Sequence, residues 1–121
     1  MQYSQLGTSD IHVSRLGLGT MTFGEQTAKV EAHQVLDHAL DAGINLVDTA
    51  EMYPAPPRRE TYGLSESIIG LWQHSRKCRQ QVILASKVVG PTTESSILRG
   101  YIRDGANRLI ASNLTQALEQ S

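Results

Sequence analysis

The apolar positions of this chain change their period several times, and each change marks an element. Tyr3 to Leu6 and His12 to Ser14 flank the turn formers Gly7-Thr8-Ser9-Asp10, which predicts a small β-hairpin. Leu16-Gly17-Leu18-Gly19 follows as a short strand, with a loop from Thr20 to Gln26. Between Ala28 and Ala42 the residues Ala32, Val35, Leu36, Ala39 and Leu40 recur at i, i+3, i+4, i+7 and i+8, the single apolar stripe of a helix. Gly43 stands where a residue in the left-handed conformation would end that helix. Ile44 to Val47, apolar apart from Asn45, read as a buried strand, and Pro54, Pro56 and Pro57 stiffen the loop after it. Leu64, Ile68, Leu71 and Trp72 mark a second amphipathic helix, and Gln81 to Lys87 a third strand. The alternation β, α, β, α, β predicts an α/β fold, a parallel sheet with helical crossovers. From Val88 to Ala111 the pattern gives way to Gly, Pro, Thr and Ser, a loop with a short turn. Ser112 is the expected N-cap of a last helix, with Leu114, Ala117 and Leu118 on its stripe.

Length narrows the picture. The 121 residues hold one domain with a modest core, yet they are only about half of the ~250 typical of a closed eight-stranded α/β barrel. The chain cannot close such a barrel alone. Eleven Lys and Arg against twelve Asp and Glu leave a net charge of -1. No long-range field then draws the chain to nucleic acid or to an anionic membrane, and a small molecule or a protein is the expected partner. The single cysteine, Cys78, rules out an internal disulfide and fits a reducing compartment, while Arg76, Lys77 and Arg79 beside it would favour its thiolate. Met1-Gln2-Tyr3-Ser4-Gln5 carries neither a basic nor an apolar leader segment. No apolar run approaches the ~20 residues of a spanning helix, so a soluble, cytoplasmic protein is expected.

Chemistry enters where strands are predicted to end. Asp48 and Tyr53 follow the run Ile44-Asn45-Leu46-Val47, and Lys87 closes Val82-Ile83-Leu84-Ala85-Ser86. In a parallel layout all three face one crevice at the carboxyl edge of the sheet, where such folds place their active sites. A tyrosine can give or take a proton at a carbonyl oxygen if its phenolate is stabilised. A Lys ammonium does that by Coulomb attraction, and a carboxylate keeps the ammonium charged and aimed. Residue types alone leave the plainer alternative open: Asp48 a strand-end cap, Lys87 a solvated charge, Tyr53 packed under the prolines.

The surrounding words are more specific. Leu16-Gly17-Leu18-Gly19-Thr20-Met21-Thr22-Phe23-Gly24, Gly43-Ile44-Asn45-Leu46-Val47-Asp48-Thr49-Ala50-Glu51-Met52-Tyr53, Gly63-Leu64-Ser65-Glu66 and Ala85-Ser86-Lys87 resemble the aldo-keto reductase family. The resemblance runs from Met1 to about Ser86 and resumes weakly from Asn113. It implies an incomplete (β/α)8 TIM barrel: an amino-terminal β-hairpin over 1–15, then over 16–121 strands 1 to 3 and the start of the third helix. It further implies reduction of aldehydes and ketones with NADPH. Tyr53 would be the general acid, Lys87 the residue favouring its ionised form, and Asp48 the partner of Lys87. Gly19, Thr20 and Met21 would lie beside the nicotinamide, with Asp48 on its ribose.

The same resemblance exposes departures. The family's catalytic His at the end of its fourth strand, and its main grip on the cofactor's pyrophosphate and adenosine ribose, have no counterpart in these residues. The stretch Val88-Val89-Gly90-Pro91-Thr92-Thr93 also departs from the usual pattern. Two functions are therefore expected to compete. One is the amino-terminal part of a carbonyl reductase, inactive alone. The other is a non-catalytic remnant or interaction module that self-associates through open sheet edges.

Other patterns lead elsewhere. Gly17-x-Gly19 with Gly24 misses the dinucleotide-fold spacing, and the nearest strand-end acid, Asp48, is too distant. His12, His33, His38 and His74 show no metal spacing, so no metal site is expected. Trp72 reads as core, and Arg76-Lys77-Cys78-Arg79 as an exposed helix end where cations suit the dipole.

Overall fold

The computed structural model describes residues 1–91, 100–105 and 107–121. Tyr3–Gln5 (β1) and His12–Ser14 (β2) pair antiparallel, with Tyr3 opposite Ser14 and Gln5 opposite His12. Asn45 ties this hairpin to the body: its side chain accepts from the Ser14 N–H at 2.7 Å and donates to the His12 carbonyl at 3.0 Å. Further along, Gly17–Gly19 (β3), Leu46–Asp48 (β4) and Ile83–Ala85 (β5) form a parallel sheet in the order β3-β4-β5. The register sets Gly17, Leu46 and Ile83 in one row, Leu18, Val47 and Leu84 in the next, and Gly19, Asp48 and Ala85 in the last.

Side chains alternate across a strand, so the middle row faces opposite to the other two. Val47 belongs to the core with Phe23, Ala32, Leu36, Ile68, Ile69, Trp72, Cys78 and Val82, and Leu18 and Leu84 pack against it. The helices Lys29–Asp41 (α1) and Leu64–Arg76 (α2) supply most of that core. The other face carries the two outer rows, one of which contains Asp48.

The α1 stripe is buried as its period predicts, with Ala32, Leu36 and Ala39 inside. Gly43, at φ +82°, lets its N–H reach the Leu40 carbonyl and the Ile44 N–H reach that of Ala39, which closes the last turn. A Cβ there would also stand 3.0 Å from the Tyr3 hydroxyl and from the Met1 Cβ. In α2 the stripe is rotated from the expected one. Leu71 is exposed, whereas Ser65, Ile68, Ile69, Trp72 and Gln73 are buried. Two polar residues on the buried face hid it from the pattern. Ser65 belongs there because its hydroxyl lies 3.1 Å from the Thr20 carbonyl and 2.8 Å from that of Phe23.

The third ladder is shorter than the predicted Gln81 to Lys87. A 3₁₀ turn at Arg79–Gln81 precedes β5, although bonds from the Thr49 N–H to the Ala85 carbonyl and from Glu51 to Lys87 continue the pairing beyond it. Of the expected loop over 88–111, residues 92–99 and 106 lie outside the described part; within it Val89 and Ile102 are buried, Ile102 opening a 3₁₀ turn, Ile102–Gly105. The last helix, Ala111–Gln120 (α3), starts before Ser112, with extended Ile110 in the capping position. Ser112 does not cap it because the Leu114 N–H is already bonded to the Ile110 carbonyl at 3.1 Å. Ala117 is buried, but Leu114 and Leu118 are 44% and 78% exposed, so that stripe is not covered. Among the described residues no helix is long and apolar enough to cross a membrane.

Candidate active site

Asp48 ends β4 in the row between Gly19 and Ala85, two residues with little or no side chain. Its carboxylate therefore stands in open space, and a Cβ placed on Gly19 would meet nothing within 4 Å. Lys87 lies two residues beyond β5 and reaches across to the end of β4. Its Nζ donates to Asp48 Oδ1 at 2.7 Å, to Oδ2 at 2.8 Å and to the Thr49 carbonyl at 2.6 Å. An ammonium has three donors, and here each has an acceptor. The Tyr53 ring completes the group, with its centroid 5.0 Å from Nζ, a cation–π distance. The structure thus brings the Asp48 carboxylate, the Lys87 ammonium and the Tyr53 ring together.

Backbone bonds hold the three in place. The Tyr53 N–H donates to the Ala50 carbonyl at 3.0 Å, Pro54 is buried, and the Ala55 N–H donates to the Met21 carbonyl at 2.9 Å. Met21, half exposed, thereby joins the loop after β3 to the loop carrying Tyr53. Thr20 is fully buried, and both its N–H and its hydroxyl donate to the Asp48 carbonyl, at 3.0 and 2.9 Å. The Thr20 side chain is committed to positioning Asp48. The Asp48–Lys87 pair is about half exposed on both sides, so it adds only about 0–1 kcal/mol to stability. What it supplies is aim.

Glu51 and Arg103 are residues the sequence reading did not single out. The Glu51 carboxylate accepts from the Val89 N–H at 2.8 Å and from both terminal nitrogens of Arg103, whose side chain is only 5% exposed. Glu51 sits in the quoted word between Asp48 and Tyr53, which was its only signal. Arg103 lies 52 residues away in a stretch with no periodicity, so nothing local pointed to it.

Cys78 requires a correction. It is buried, and burial pushes its thiol up from its ordinary value, outweighing the cationic neighbours that were expected to favour the thiolate. His33 is bonded to the Ile68 carbonyl at 3.1 Å, and His12 to that of Asp10. Among the described residues no three His, Cys, Asp or Glu side chains are grouped to hold a metal. A cavity of about 460 Å³ between α2, β5 and the end of α3 is lined by none of Asp48, Tyr53 or Lys87.

A parallel sheet backed by helices, with the Lys87 ammonium, the Asp48 carboxylate and the Tyr53 ring gathered at its carboxyl rim, defines an α/β fold. The sequence profile of the Aldo/keto reductase family matches residues 15–121. The chain belongs to that family. It is 48% identical over all 121 residues to Protein tas of Escherichia coli (strain K12), and covers 34% of that protein. It is 43% identical over 95 residues to the uncharacterized oxidoreductase YrpG of Bacillus subtilis (strain 168), matching 78% of this chain and 28% of YrpG. The solved aldo-keto reductase AKR11C1 from Bacillus halodurans, in its holo form, superposes with a TM-score of 0.63 at 34% identity, covering 99% of this chain and 36% of that one. The chain thus spans about a third of the length of these relatives.

Proposed function

We propose that this segment carries the proton-handling part of an NADPH-dependent reduction of small aldehydes and ketones, performed by the complete barrel. In this reading residues 1–15 are the hairpin, and 16–121 supply strands 1 to 3 and the start of the third helix of a (β/α)8 barrel. The observation that carries it is the Lys87 ammonium, held on both oxygens of Asp48 and 5.0 Å from the Tyr53 ring at the carboxyl rim.

The Tyr53 hydroxyl gives its proton to the carbonyl oxygen of the substrate. The Lys87 ammonium stabilises the phenolate left behind, and Asp48 keeps that ammonium charged and aimed. NADPH, when bound, supplies the hydride that the carbonyl carbon takes up, so proton and hydride together convert carbonyl to alcohol. The residues present fit its nicotinamide end. Gly19 leaves room for a flat ring beside Asp48, Met21 is half exposed, and each Asp48 oxygen keeps a lone pair for a ribose hydroxyl. Thr20 contributes by fixing Asp48. A single cysteine supports a reducing, cytoplasmic setting.

Tyr53→Phe in the complete protein tests the reading. NADPH consumption with an aromatic aldehyde is expected to fall about 10²- to 10⁴-fold in kcat while NADPH binding is kept. Undiminished turnover would reject Tyr53 as the proton donor. The 121 residues by themselves are expected to turn over negligibly, since the described residues supply three strands of a barrel rim. The exposed Leu114 and Leu118, with outer edges of β3 and β5 that are unpaired among the described residues, favour a second reading, an interaction module that self-associates.

A further inference from the structure

We infer that Glu51 and Arg103 form a positioning clamp that sets where the Lys87 ammonium sits. Glu51 grips the segment after β5 at two points. Its backbone N–H donates to the Lys87 carbonyl at 3.0 Å, and its carboxylate accepts from the Val89 N–H at 2.8 Å. Residues 87–89 are thereby fixed to the turn between Asp48 and Tyr53 from both ends. Arg103 then closes over the carboxylate through both terminal nitrogens and reaches the buried Asn107 side chain at 3.2 Å.

The burial of this pair separates it from an ordinary surface contact. The Arg103 side chain is 5% exposed and that of Glu51 12%, against 47% and 48% for Lys87 and Asp48. A largely buried carboxylate deprived of its cation must find another partner or move, and among the described residues the groups bonded to Glu51 on this side, besides Arg103, belong to residues 87–89. Arg103 also holds a left-handed backbone, φ +48°, which a non-glycine residue adopts at a cost. That cost is borne where the guanidinium meets Glu51. Disturbing the pair should therefore displace the Lys87 backbone and loosen the three bonds its ammonium makes with Asp48 and Thr49.

The inference rests on the reading of Lys87 as a working part of the site, but its test does not require turnover. The chain has three lysines, Lys29, Lys77 and Lys87, so acylation by an amine-reactive reagent, mapped by mass spectrometry, compares Lys87 with two internal standards. Arg103→Met is expected to raise the Lys87 rate about fivefold, the net worth of roughly one ordinary hydrogen bond, with Lys29 and Lys77 unchanged. Exchange of the Val89 amide should accelerate in step, and Arg103→Lys should restore part of the protection. An unchanged Lys87 rate overturns the inference. So does a rise shared by all three lysines, which would assign the pair to general stability. Should Arg103→Met fail to fold, Glu51→Gln decides: it keeps an acceptor for Val89 but loses the charge, and parental Lys87 protection in that variant rejects the clamp. A Tyr53 that donates no proton would leave these rates untouched, so failure of the catalytic reading is seen separately, in the Tyr53→Phe kinetics.

Discussion

At Lys87, three donors meet three acceptors, two on Asp48 and one on Thr49. Such an ammonium has little freedom to wander, and its charge stays beside the Tyr53 ring. Cys78 shows the opposite economy. Its sulfur is walled in at 2% exposure and its thiol is raised by burial, so the native chain should react slowly with a thiol-specific disulfide reagent and quickly once unfolded in urea. Fast labelling of the folded chain would show that burial does not govern this thiol. The contrast explains what was legible in the sequence. Asp48, Tyr53 and Lys87 could be placed at one rim because each follows a run that reads as a strand, and a strand end fixes direction. The cations around Cys78 were equally visible, but its burial depends on α2 packing against the sheet, which spacing does not disclose. Glu51 and Arg103 are joined only by the tertiary fold.

Between α1 and α2 the decisive contact is polar. Asp37 of α1 accepts from the Trp72 indole N–H at 2.7 Å and from the Arg76 guanidinium at 3.0 and 2.7 Å, both residues of α2. The Arg76 hydrogen bond, then that of Trp72, holds the Asp37 carboxyl at about 2, below its ordinary 3.8. A folded-state value below the unfolded one means that the ionised form stabilises the fold fully above pH 3.8, and that this contribution is lost as pH falls toward about 2. Asp37→Asn keeps an acceptor for the indole but removes the charge. It should unfold at lower urea than the parent at neutral pH, with the difference closing across that acidic window; a gap independent of pH would remove the carboxylate as its source. Asp37→Ala should cost about 1–3 kcal/mol further, because it strands a buried indole N–H. The elements themselves were read with uneven success for the same kind of reason. The α1 stripe is purely apolar and legible, whereas the α2 stripe includes Ser65 and Gln73, whose burial depends on distant partners or packing. At α3 the helix began before the serine that looked like its cap.

For the molecule, the open question of chemistry is one of coverage. Parallel sheets are normally buried on both faces, yet here the helices cover the Leu18–Val47–Leu84 side. Each outer strand is paired on one side only among the described residues, and Leu118 is 78% exposed. The 121-residue chain is therefore expected to self-associate, seen as a concentration-dependent sedimentation coefficient, and Leu114→Gln with Leu118→Gln should shift it toward monomer. A parent chain that sediments as a monomer at every concentration would reject the interaction-module reading. Trp72 offers a means of watching such events from within. It is the chain's sole indole, 1% exposed and hydrogen-bonded to a carboxylate across the α1–α2 seam. Ultraviolet emission excited selectively from tryptophan therefore comes from one address, and its colour reports, without any attached dye, whether those two helices are docked.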